Sequence, residues 1–164
     1  MLYNLLAPLA DEFGFFNLFR YLTFRTGGAI MTSLLISFLL GPMVIRLLKT
    51  RQKSGQPIRS DGPQSHLSSK AGTPTMGGVL ILFALASSTL LWADITNHYV
   101  WVVLLVTMGF GVIGFVDDFL KVTRQHHNGL PGTVKFGFEV LIALGAVLWI
   151  SSQFPDALVN TLAT

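Results

Sequence analysis

Met108-Gly109-Phe110-Gly111-Val112-Ile113-Gly114-Phe115-Val116-Asp117-Asp118-Phe119-Leu120-Lys121 is the stretch on which the fold of this chain turns. It closes an apolar run that has carried no charge since Asp94, and it ends at two adjacent aspartates. If the run is a helix crossing a bilayer, Asp117 and Asp118 stand at its exit, where hydrocarbon gives way to water. The C-terminal end of a helix dipole is partly negative and disfavours carboxylates. The pair therefore calls for a counter-charge, a divalent cation or a cationic partner. The plainer alternative is a solvated helix end with one Asp117–Lys121 pair at i,i+4, worth a few tenths of a kcal/mol.

Composition favours the membrane. Of 164 residues, 51% are hydrophobic and 12% charged, and the mean hydropathy is +0.60. Soluble domains carry about a quarter charged residues. The absence of cysteine excludes disulfides and thiolate metal sites. A net charge of +3 is too small for a nucleic-acid footprint, so no nucleic acid is expected as a partner. The N-terminus, MLYNLLAPLADEF, has no basic n-region and does not read as a cleaved signal peptide.

Outward from the central stretch, four apolar runs predict an all-α, polytopic membrane protein with spanning helices at about 26–45, 74–93, 99–117 and 134–151. Gly41-Pro42 predicts a kink in the first. Phe13, Phe15, Phe16, Phe19, Tyr21 and Phe24 precede it and suit either a bilayer interface or packing against neighbouring helices. Polar loops at about 46–73 and 118–133 hold most of the Lys and Arg, whereas the turn Asp94–Asn97 and the tail after Ser151 hold none. The positive-inside rule then puts both loops in the cytoplasm and the N-terminus outside, with Arg20 and Arg25 the minority vote. Asp117, Asp118 and Gly72-Thr73-Pro74-Thr75-Met76-Gly77-Gly78 fall on the same side. Four such helices can form a small bundle, and the tail looks cut off.

Gly109-Phe110-Gly111-Val112-Ile113-Gly114 matches the dinucleotide fingerprint, but the glycines lie inside an apolar helix, without the preceding strand, and are expected to serve helix packing. The GTPTMGG segment has the turn chemistry, hydroxyls and free N–H groups to grip an anion, with Lys70 beside it. His66, His126 and His127 are loop residues expected to be solvated, and His98 faces outward. Glu139 is expected to turn inward and pair with Lys135. An anion-gripping loop, a basic surface and an acid pair suited to Mg2+, all at the membrane boundary, fit phosphoryl transfer from a soluble phosphorylated donor to a lipid acceptor. A channel or transporter and a structural membrane subunit are the rivals. The first predicts acids near the bilayer midplane.

Asp61-Gly62-Pro63, Ser65-His66, Lys70 and GTPTMGG resemble the first cytoplasmic signature of the phospho-N-acetylmuramoyl-pentapeptide transferase family. Gly114–Lys121 resembles its second, the DDxxK region. The resemblance runs from about Tyr21 to Ile150. It implies an enzyme of about ten membrane helices in the bacterial cytoplasmic membrane. That enzyme transfers phospho-MurNAc-pentapeptide from UDP-MurNAc-pentapeptide to undecaprenyl phosphate with Mg2+, forms the first lipid intermediate of peptidoglycan and releases UMP. Related transferases of UDP-N-acetylhexosamines share the paired aspartates, but their first loop differs. The resemblance implies catalytic roles for Asp117, Asp118 and Lys121 and substrate binding by Lys70, Thr73, Thr75 and His66. Asp117 would be the base, and Asp117 and Asp118 the Mg2+ side of the site. The lipid bilayer is an expected partner, and a homodimer is compatible with the reading. Phe119 stands where the family has tyrosine. A third aspartate and a histidine-rich loop come later in family members, which implies that this chain is an N-terminal portion, inactive alone.

Overall fold

The computed structural model describes residues 1–52, 76–124 and 129–153, and among them every regular element is helical. A short helix α1 (Leu2–Leu6) and two 3-10 turns (Pro8–Asp11 and Gly14–Arg20) lead into α2 (Leu22–Arg51). The remaining helices are α3 (Gly78–Trp92), α4 (His98–Arg124) and α5 (Gly132–Gln153). Helices α2, α4 and α5 are long and apolar enough to span a membrane, and α3 is a shorter apolar helix. The chain is a multi-pass membrane protein.

Local chemistry accounts for the ends. Asn97 caps α4 by accepting the Tyr99 N–H through Oδ1 (2.9 Å). Pro131 opens α5, its carbonyl accepting the N–H groups of Val134 and Lys135 at 3.0 Å each. Pro42 lies inside α2 without ending it, and α2 starts earlier and runs later than the 26–45 expected from the uncharged stretch.

The placement of Asp117 and Asp118 at a helix end is corrected. Helix α4 continues to Arg124, so residues 118–124 are helix rather than loop. Nothing in Asp118–Arg124 breaks a helix, and Lys121 and Arg124 fill the last turn, where cations complement the dipole. The counter-charge that the acid pair required is thus supplied partly by the helix itself.

The four long elements form an antiparallel row in which each packs on its chain neighbour: α2 on α3, α3 on α4 and α4 on α5. The expected bundle does not close, because among the described residues α2 makes no packing contact with α4 or α5. Burial is accordingly slight: Ala84, Val102, Leu104 and Ile113 are the buried hydrophobic residues among those described.

Small residues set the close approaches. A Cβ on Gly28 would lie 2.5 Å from ring atoms of Trp92, and one on Gly109 would lie 2.9 Å from Ile142 Cδ1. Gly111 faces Leu82 more closely still. Two of the three fingerprint-like glycines are therefore packing residues, as expected from their place inside a membrane helix. Gly114 meets nothing within 4 Å and instead lines a cleft.

At the Trp92 end the aromatic N-terminal segment folds onto the row. Phe19 stacks on Trp92 (centroids 5.9 Å apart), Phe24 meets it edge-on, and Trp92 Nε1 donates to Thr32 Oγ1 at 2.9 Å. Phe13 and Phe15 remain exposed. The packing expectation for this segment holds for Phe19 and Phe24.

Candidate active site

The antiparallel row brings the end of α4 beside the start of α3 and the start of α5. A cleft of about 460 Å³ opens there, lined by Met76, Gly114, Phe115, Asp117, Asp118 and Lys135 among others. Met76, Gly77 and Gly78 are the described end of the GTPTMGG segment, so its junction with α3 and the acid pair meet in one space. Met76 adopts a positive φ of 72°, a conformation uncommon for a residue with a side chain. The same end of the row carries the basic ends of α2 (Lys49, Arg51) and α4 (Lys121, Arg124).

Asp117 is the most tightly held acid at this end. Lys121 Nζ donates to its Oδ2 at 2.6 Å, and the Leu130 N–H donates to its Oδ1 at 2.8 Å. Its side chain is only 14% exposed. Asp118 is more open, 35% exposed, with Lys121 Nζ 3.9 Å from its Oδ1. One lysine therefore addresses both carboxylates, which is the i,i+4 and i,i+3 geometry that the spacing predicts.

Lys135 was expected to pair with Glu139. It does not: no Lys135–Glu139 ion pair forms among the described residues. Instead Lys135 lines the cleft with Asp117 and Asp118 and stands near enough for its charge to act on Asp117. Two adjacent carboxylates on α4 attract the ammonium more strongly than one Glu a turn further along. The signal for this was Pro131-Gly132, a turn that folds the first turn of α5 back over the end of α4.

Lys70, Thr73, Thr75 and His66, as well as His126 and His127, lie outside the described residues. Among the described residues no cluster of three or more His, Cys, Asp or Glu side chains gathers to hold a metal. The donor chemistry still fits Mg2+, which binds through one or two carboxylates plus substrate phosphates and water. Asp118 has the more exposed side chain of the two.

The apolar groove continuing from this cleft, about 330 Å³ and lined by Leu82, Phe83, Met108 and Phe115 among others, runs between α3 and α4. The acid pair thus sits where an apolar trough meets a polar, basic end. Such a boundary suits a reaction joining a charged group to a lipid.

Residues 70–82 match the family signature described as phospho-N-acetylmuramoyl-pentapeptide-transferase signature 1. A phospho-N-acetylmuramoyl-pentapeptide-transferase of Granulibacter bethesdensis is 58% identical over 163 residues, which is 99% of this chain and 45% of that protein. One of Maricaulis maris is 59% identical over 149 residues, 91% of this chain and 41% of its own length. The chain spans less than half the length of these curated relatives. By sequence, it belongs to the phospho-N-acetylmuramoyl-pentapeptide-transferase family.

Proposed function

We propose that this chain carries part of the active site of a transferase that moves phospho-MurNAc-pentapeptide from UDP-MurNAc-pentapeptide to undecaprenyl phosphate, with release of UMP. The observation that supports it most directly is the shared cleft of Asp117, Asp118, Lys135 and the end of the GTPTMGG segment, with Lys121 bridging the acids. In the reaction, an oxygen of the lipid phosphate attacks the sugar-linked phosphorus, and the bond to UMP breaks, UMP leaving with the electron pair. Asp117 accepts a proton from the lipid phosphate where that group is not fully ionised. Lys121 and Lys135 hold the diphosphate by charge. Lys70, Thr73, Thr75 and His66 bind the nucleotide-linked substrate. Asp118 is the oxygen ligand this chain offers to Mg2+, which when bound offsets charge on the transferring phosphate. The polar loops, and with them the cleft, face the cytoplasm of the bacterial inner membrane, and the N-terminus faces outward.

The test is a chimera in which this chain replaces the matching stretch of the Granulibacter bethesdensis relative, so that the length the relatives have is present. Radiolabelled UDP-MurNAc-pentapeptide and undecaprenyl phosphate should yield labelled lipid and UMP, and chelation of Mg2+ should stop the reaction. Transfer from a UDP-N-acetylhexosamine in preference to the muropeptide donor would assign the chain to the related sugar-phosphate transferases instead.

A further inference from the structure

Asp117 lies on α4 and Leu130, thirteen residues later, in the connection to α5, yet the Leu130 N–H donates to Asp117 Oδ1 at 2.8 Å. The neighbouring Gly129 makes this approach possible. A Cβ at Gly129 would lie 2.8 Å from Asp117 Cγ and 2.8 Å from Lys121 Cε, and closer still to Asp117 Oδ1. Side-chain carbons do not come so near, and the atoms they would meet are tied to one another by the Lys121–Asp117 ion pair. The turn can settle on the carboxylate only because position 129 carries no side chain.

We propose that Gly129 and the Leu130 N–H form a backbone latch that fixes the rotation of the Asp117 carboxylate, making Gly129 a positioning residue for the transfer reaction. A carboxylate held by lysine alone can swing, because the lysine arm is flexible and moves with it. A second donor fixed in the main chain removes that freedom and sets which lone pairs face the cleft. Orientation of this kind matters to rate because a displacement of about 1 Å can cost on the order of 100-fold. The effect on turnover rests on the transferase reading above, whereas the latch itself does not.

Both are tested in the chimera. Gly129→Ala should lower kcat by about 10- to 100-fold, with KM for UDP-MurNAc-pentapeptide changed by less than about 3-fold. It should also speed hydrogen exchange at the Leu130 amide. A glycine that merely permits the turn predicts neither the kcat-specific loss nor the exposed amide, and unchanged kcat or unchanged Leu130 protection in a folded variant overturns the latch. Should Gly129→Ala not fold, Asp117→Ala is read by exchange alone: faster exchange at Leu130 is expected, and retained protection overturns the proposal. A wild-type chimera that transfers nothing while its Leu130 amide stays protected overturns the transferase reading instead.

Discussion

Two aspartates, Asp94 and Asp117, sit at opposite ends of the helical row, and both are held by neighbours. Asp94 Oδ1 accepts from Asn4 Nδ2 (3.0 Å), from the Thr96 N–H (3.0 Å) and from Thr96 Oγ1 (2.6 Å). Those donors are neutral, and they stitch the N-terminal segment and the α3–α4 turn into one cap. Asp117 is held instead by a lysine and a main-chain N–H, has a second acid beside it, and borders a cleft that a further lysine, Lys135, lines. A held acid is not by itself a site. What separates the two, among the described residues, is the company at the Asp117 end: a second acid, two lysines and an open cleft that the carboxylates line.

The largest effect should fall on Asp117. In the chimera, Asp117→Asn keeps the shape but loses the charge and the proton acceptor, and transfer should drop by about 10²- to 10⁴-fold. Asp94→Asn, assayed alongside, should leave transfer within about 3-fold because it touches no part of the cleft. Comparable losses in the two variants would break the contrast. Next in size is Lys135→Ala, expected to cost about 10-fold or more in kcat/KM for the UDP-linked donor by removing a positive charge from the cleft. Normal kinetics there would return Lys135 to a structural role.

Packing effects come third. Gly28→Ala would press a methyl group into the Trp92 ring and should destabilise the fold by about 1–3 kcal/mol, measured by thermal unfolding in detergent. The smallest effect concerns pH. Asp94 lies outside the spans, and hydrogen bonding, chiefly from the Thr96 hydroxyl, lowers its pKa below the ordinary 3.8. A depressed folded pKa means the stabilisation is present above the unfolded value of about 3.9 and fades as pH falls through the lower folded value. Unfolding temperatures compared at pH 6 and in steps below pH 4 should show this fall in the wild type and lose that component in Asp94→Asn.

Much of this was legible along the chain. Hydropathy alone marks the apolar runs, because a bilayer demands length and apolarity rather than a particular partner. The link of Lys121 to both aspartates follows from helical spacing. The hydrogen bond from Leu130 to Asp117 and the place of Lys135 in the same cleft do not, since they depend on how two helices meet after a tight turn. The helix end was misplaced for a related reason: the hydrophobic run stops at Val116, but a helix needs no apolar residues to continue, only the absence of breakers. The same gap separates the expected bundle from the observed row, because hydropathy counts spans without saying which of them touch. Of the candidate residues, Asp117, Asp118 and Lys121 share the cleft or border it, whereas Lys70, Thr73, Thr75 and His66 lie outside the described residues.

The row has a consequence for how the protein is made. Since, among the described residues, each long helix packs on its chain neighbours, these helices can dock in the order in which a ribosome delivers them, while α1 and its aromatic neighbours wait for Trp92 and Asp94 to emerge. Asp117 then leaves the ribosome before either Leu130 or Lys135, and its carboxylate acquires those companions only when α5 folds back.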